Sequence, residues 1–107
     1  MKQVAFTIAD DKNKWMVPFL LNSLRKFHSE EELPLIVYGQ EMLDQIKDPN
    51  KFYKATPLFA RELIDDYELV IKLDCDQIIT GSLDHILNVR DYDVGTVLNF
   101  NRTDPKT

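Results

Sequence analysis

The chain predicts an α/β fold in which a mostly parallel sheet is flanked by helices, and three observations carry that expectation. Short runs rich in apolar and β-branched residues, at Val4 to Ala9, Leu35 to Tyr38 and Glu68 to Leu73, are each bounded by turn-forming residues, as strands buried on both faces are. Between the first two runs, apolar residues recur every three or four positions, which is the period of a helix. Strands that alternate with helices in this way favour parallel pairing through right-handed crossovers.

The elements follow in order. Val4 to Ala9 (VAFTIA) reads as a buried first strand that stops at Asp10 and Asp11, a polar turn. From Asn13 to His28, Met16, Phe19, Leu20, Leu24 and Phe27 form the apolar stripe of an amphipathic helix, with Lys14, Asn22, Ser23, Arg25 and Lys26 on the other side. Pro18 sits near its start, where a missing N–H costs little, and Lys26 and His28 suit the negative end of the helix dipole. Leu35 to Tyr38 forms the second strand, ended by Gly39. Glu41 to Lys47 predicts a short helix and DPNKFY a loop. Pro57 predicts the start of another helix, with Leu58, Phe59, Leu63 and Ile64 on its apolar face. After the third strand, Ser82 is placed to cap a short helix through Leu87, and Asp93 to Phe100 (DVGTVLNF) predicts a further strand before a polar tail.

Composition narrows the function. At 107 residues the expectation is one domain with one core. Hydrophobic residues at 44% and charged residues at 29% describe an ordinary globular chain, and no apolar run approaches the ~20 residues of a membrane span. The N-terminus turns acidic after a short apolar stretch and reads as mature protein. A single cysteine, Cys75, excludes an internal disulfide framework and suits the cytoplasm. A formal charge of −5, with 13 scattered Lys and Arg, argues against nucleic acid as a partner. An acidic chain that takes a phosphorylated small molecule needs a metal or a few placed cations.

In parallel sheets, ligands bind outside the carboxyl ends of the strands, so the places to watch are Asp10 and Asp11 after the first strand and Asp74-Cys75-Asp76 after the third. In an extended segment, Asp74 and Asp76 point the same way and Cys75 the other, an arrangement that suits a hard dication shared with a diphosphate. The same two carboxylates also suit an aspartyl nucleophile with its acid partner, or a plain turn that satisfies backbone N–H groups.

The surrounding order adds a resemblance. FTIADDKNKW, NSLRKF and FARELIDDYELVIKLDCDQIITGSL resemble the first strand and nucleotide turn, the first helix, and the approach to and exit from the metal-binding D-x-D of nucleotide-sugar glycosyltransferases of the type A fold. The similarity is closest to their retaining family-eight branch. It implies a Rossmann-like, partial GT-A fold over residues 1–107, the donor-binding N-terminal part of a longer hexosyltransferase, weak or inactive alone. It also implies Mn²⁺ or Mg²⁺ on Asp74 and Asp76 and a nucleotide-diphosphate sugar, with UDP as the expected nucleotide, contacted by Ile8, Ala9, Asp10, Asp11, Trp15, Arg61 and Cys75. The acceptor, whether glycan, lipid-linked saccharide or protein, is left open. The family's later histidine-containing metal segment has no counterpart in these residues.

Each position has a plainer reading. Arg61 also fits a solvated helix face, Trp15 a core anchor, and Lys72 either solvent or the site's margin. His28 and His85 fit surface or capping roles better than metal ligation. Asn101-Arg102-Thr103 matches a glycosylation sequon without a secretory context. Two rival functions use the same aspartates. A haloacid dehalogenase-like phosphatase would put Asp74 and Asp76 to work beside Mg²⁺, though its motif follows a first strand rather than a third. A receiver-like regulatory domain would use Asp10 and Asp11 as its acidic pair and Asp74 as phosphoacceptor, but offers only Lys106 as its later lysine.

Overall fold

A computed structural model describes residues 2–87, with the side chains of residues 51–53 outside that description. The predicted strand at Asp93 to Phe100, the Asn101 sequon and Lys106 lie outside the described residues.

Three parallel strands, β1 (Gln3–Ile8), β2 (Leu35–Tyr38) and β3 (Leu69–Lys72), stand in the order β2-β1-β3. The register pairs Phe6 with Ile36 on one side and with Lys72 on the other. The central strand is apolar at successive positions because both of its faces are covered: Val4, Ala5 and Phe6 are all fully buried. Side chains alternate across the sheet, so Ala5 joins Leu20, Leu24, Leu33, Ile71, Leu73, Ile79, Leu83 and Leu87 on one face. Val4 and Phe6 join Tyr38, Leu43, Ala55, Phe59 and Leu63 on the other. There Tyr38 stacks on Phe59, with ring centroids 4.1 Å apart, and meets Phe6 edge-on at 5.8 Å.

The first face is covered by α1 (Val17–Arg25), and the second by α2 (Gln40–Asp44) and α3 (Lys51–Ile64). Among the described residues, no helix is long and apolar enough to cross a membrane. The α/β class and the three predicted strands are thus present, β3 one residue shorter at each end than its apolar run suggested.

The helices depart from expectation in detail. The predicted Asn13-to-His28 helix divides into a 3₁₀ turn at Lys14–Met16 and α1, with Pro18 in the first turn of α1. Its buried stripe is Leu20, Ser23 and Leu24, whereas Phe19 and Phe27 remain exposed at 58% and 41%. Of the DPNKFY segment predicted as a loop, Asp48 to Asn50 lie outside α3 but Lys51 to Tyr53 belong to it, and Pro57 lies inside α3 rather than at its start. An interior proline forfeits one helical hydrogen bond. Pro57 is exposed, and the stripe of Ala55, Phe59 and Leu63 buried against the sheet offsets that loss, while Leu58 and Ile64 stay exposed.

Beyond β3 the chain finds no strand partner within the described residues, and α1 catches it instead. Ser23 Oγ accepts the Ile79 N–H at 2.8 Å and donates to the Leu20 carbonyl at 2.8 Å. His28 Nε2 accepts the Leu83 N–H at 2.8 Å. The segment then enters α4 (Asp84–Leu87), where Ser82 Oγ accepts the Asp84 N–H at 3.1 Å in the capping role expected of it.

Two substitutions test this packing. Leu24→Ala opens a cavity in the α1 face and should lower unfolding stability by about 2–5 kcal/mol in urea melts. Thr7, fully buried on β1, has a hydroxyl without a hydrogen-bond partner. Thr7→Val keeps the shape and removes that orphan, and should stabilise the chain by about 1 kcal/mol, read as a higher Tm.

Candidate functional site

The parallel register brings all three strand ends to one edge. Leu73 N–H donates to the Phe6 carbonyl at 2.8 Å, which extends β3 beside β1 as far as the first residue before Asp74. Ala9 N–H donates to the Tyr38 carbonyl at 3.0 Å, and Asp11 N–H to Gln40 Oε1 at 3.2 Å. The turn after β1, the start of α2 and the aspartates after β3 therefore lie along the same carboxyl edge, where parallel sheets hold their ligands.

After β1, Asp10 folds back on itself. Its Oδ1 accepts the Asn13 backbone N–H at 2.9 Å and the Asn13 side-chain amide at 2.8 Å, while its carbonyl accepts Lys14 N–H at 2.9 Å. This turn starts the 3₁₀ segment and lifts Trp15 out of the core: Trp15 is 64% exposed and packs edge-on against Phe19 at 6.3 Å. Trp15 is therefore no core anchor. Asp11 is exposed and lies 3.5 Å from Lys14, a solvated pair of small energetic weight.

After β3, the Asp74-Cys75-Asp76 triplet is not extended. Gln77 N–H donates to the Asp74 carbonyl at 3.0 Å, and Asp74 N–H donates to Gln77 Oε1 at 2.8 Å. The four residues make a turn with Cys75 and Asp76 at its corners, so the expected strand alternation of the two carboxylates does not apply. Gln77 is buried and locks the turn through its side chain. The Asp74 carboxylate pairs with the ammonium of Lys72, two residues back on the same strand face, and Asp76 is exposed. Burial pushes the Cys75 thiol pKa up, and the Asp76 and Asp74 carboxylates add to the rise more than Lys72 offsets it.

Arg61 is not brought to this edge. It lines a groove of about 430 Å³ between α2 and α3 with Met42, Ile46, Leu58 and Glu62. It lies in the last turn of α3, which feeds β3 at the opposite end of the sheet, where Glu68 N–H meets the Lys2 carbonyl at 2.9 Å. A strand rises ~3.3 Å per residue, so the six residue steps from Glu68 to Asp74 separate that end from the aspartates by roughly 20 Å. A crossover that must return to the strand's start carries Arg61 with it. The cation at the aspartates is Lys72, and strand alternation between positions 72 and 74 is the signal that finds it.

As a metal centre, the turn after β3 offers the carboxylates of Asp74 and Asp76. Both carboxylates are reachable from solvent, both are hard oxygen donors, and Asp74 already attracts a cation. Carboxylate oxygens of this kind are the donors that a hard dication such as Mg²⁺ or Mn²⁺ takes. Among the described residues, the trio close enough to share an ion lies elsewhere: His28, Glu32 and Asp84, with ligand atoms within 4.8 Å of one another. That trio does not fit a metal. The Nε2 lone pair is taken by Leu83 N–H, and an ion on Nδ1 would move the ring proton to Nε2, where it would face that N–H donor to donor.

Cys75 reports on its neighbours. In metal-free buffer near pH 8 it should alkylate with iodoacetamide more slowly than free cysteine, because less of it is thiolate. Asp76→Asn removes a raising charge and should speed the reaction a few-fold, as measured by mass spectrometry. Compared with protein-family models, with curated proteins and with solved structures, the chain matches none of them, so the arrangement of these residues carries the functional reading.

Proposed function

We propose that the carboxyl edge of the sheet is the donor-binding half of a glycosyltransferase, which holds a nucleotide-diphosphate sugar through Mg²⁺ or Mn²⁺ on Asp74 and Asp76. The observation that supports this best is the adjacency of β1 and β3, which sets the acidic turn at Asp10 and Asp11 and the aspartate turn at Asp74 along one edge. Trp15, exposed and set edge-on to Phe19, offers the face of one ring to a base such as uracil. The Asp11 carboxylate is free enough to accept from ribose hydroxyls. Ile8 and Ala9 form the floor beneath them, and Cys75 contributes backbone at the turn's corner.

The residues divide the work by charge. A diphosphate brings negative charge to an edge already lined by aspartates, so binding requires added positive charge. Bound metal would supply it and, by neutralising the diphosphate, make that group a better leaving group. Lys72 is the chain's own contribution: its ammonium neutralises Asp74 before substrate arrives and lies within reach of a phosphate afterwards. Arg61 takes no part in this reading.

Calorimetric titration of UDP and UDP-sugars, with and without Mn²⁺, tests it on the wild type, Asp76→Asn and Lys72→Met. Binding is expected only with metal and should weaken at least about tenfold in Asp76→Asn, the loss of one charge-assisted ligand. Lys72→Met should tighten Mn²⁺ binding a few-fold in the absence of nucleotide, since the ammonium and the dication compete for Asp74. The reading fails if UDP does not bind in millimolar Mn²⁺, or if Asp76→Asn leaves metal-dependent binding intact. A stable adduct of beryllofluoride at Asp74 would replace it with a phosphoaspartate chemistry.

A further inference from the structure

The geometry points to His28 as a proton-operated latch on the segment that leads away from the Asp74–Gln77 turn. His28 is 2% exposed, at the end of the turn that follows α1, and both of its ring nitrogens are committed. Leu83 N–H can only donate, so Nε2 must carry a lone pair. The ring hydrogen of the neutral imidazole then sits on Nδ1, where it donates to the Glu32 carboxylate. Glu32 is itself held in place, its N–H donating to Ser29 Oγ at 3.1 Å. A single tautomer of the neutral ring therefore ties α1's end, the 29–33 turn and the chain beyond β3 into one unit.

A second proton reverses one of those bonds. Nε2 becomes a donor that faces the Leu83 N–H, and the pair cannot persist. The acceptor at hand is Asp84, one residue past Leu83, whose carboxylate completes the trio within 4.8 Å. Protonation thus moves the clasp from the Leu83 backbone to the Asp84 side chain. The charged groups that face the ring are the carboxylates of Glu32 and Asp84. Arg25 does not switch sides: its Nη1 holds the Leu33 carbonyl at 2.9 Å and the His28 carbonyl at 3.3 Å.

The consequence is local. Leu83 is nearly buried, and its carbonyl accepts the Ile86 and Leu87 N–H groups at 2.8 and 2.9 Å, so release of its own N–H loosens the start of α4. The sheet and the Ile79 anchor on Ser23 contain no titrating bond and stay closed. Neutral pH ties the Leu83 backbone to His28, and acid releases that N–H as the ring turns to Asp84. This does not rest on the sugar-nucleotide reading, since it involves neither metal nor substrate.

NMR of the full chain between about pH 8 and pH 5 tests it, the range over which histidine changes charge. At the upper end, ring ¹⁵N shifts should show a protonated Nδ1 and a bare Nε2. On acidification, hydrogen exchange at the Leu83 amide, corrected for its intrinsic pH dependence, should rise roughly five- to tenfold relative to the Ile79 amide, the loss of one net hydrogen bond. His28→Gln presents an acceptor that gains no proton and should abolish the change. Asp84→Asn, at an exposed position, should lower the transition's midpoint. An Nε2-protonated ring at pH 8, a Leu83 amide that tracks Ile79, or an unmoved midpoint in Asp84→Asn would each overturn the latch.

Discussion

The dryness of β1 on both faces governs everything else in this chain. A strand with Val4, Ala5 and Phe6 all excluded from water must be flanked by strands and covered above and below. With β2 and β3 parallel to it, each connection has to travel back along the sheet, and the two crossovers use opposite faces. Once that is settled, the carboxyl ends cannot be scattered. The turn after Ile8, the start of α2 and the turn at Asp74 are neighbours because the strands that deliver them are neighbours.

Leaving the sheet creates a second obligation, to pair the backbone. Residues 77–83 run over the α1 face, where buried N–H groups need acceptors, and a helix has no spare backbone carbonyls along its length. The acceptors are side chains, Ser23 for Ile79 and His28 for Leu83. Polar residues in an otherwise apolar stripe are thus structural here. Ser23 occupies a core position of α1 and reads in the sequence as part of its solvent face, because periodicity sorts residues by polarity and cannot see an N–H that arrives from 56 positions away.

Much of the fold was legible because strand burial and helix period are local signals: the three strands and α1 stand where apolar runs and spacing put them. The misses came from tertiary choices. Phe19 and Phe27 look like core residues in a one-dimensional stripe, yet the helix turns Leu20 and Leu24 inward and leaves both rings outside. Pro57 looks like a helix start, but the burial of Ala55, Phe59 and Leu63 recruits the residues on either side of it. At the site, the order of Asp10, Asp11, Asp74 and Asp76 along the chain foretold a shared edge. The conformation of the aspartate triplet was not foretold, since Gln77 closes it into a turn by a side-chain bond that spacing does not reveal. Arg61 was expected at the site through the resemblance, and its place in the last turn of α3 sets it towards the start of β3 instead.

That Gln77 bond bears on how the edge would meet an anion under the proposed function. Many phosphate sites present a row of backbone N–H dipoles, which read shape at little cost in charge. Here the Asp74 N–H is already spent on the carboxamide of Gln77, and the Asp11 N–H on that of Gln40. Two amides at this edge are thus occupied by neutral side chains within the protein. On the proposed reading, recognition at this edge would fall instead to mobile positive charge, graded by ionic strength and by the supply of cations rather than fixed by the backbone.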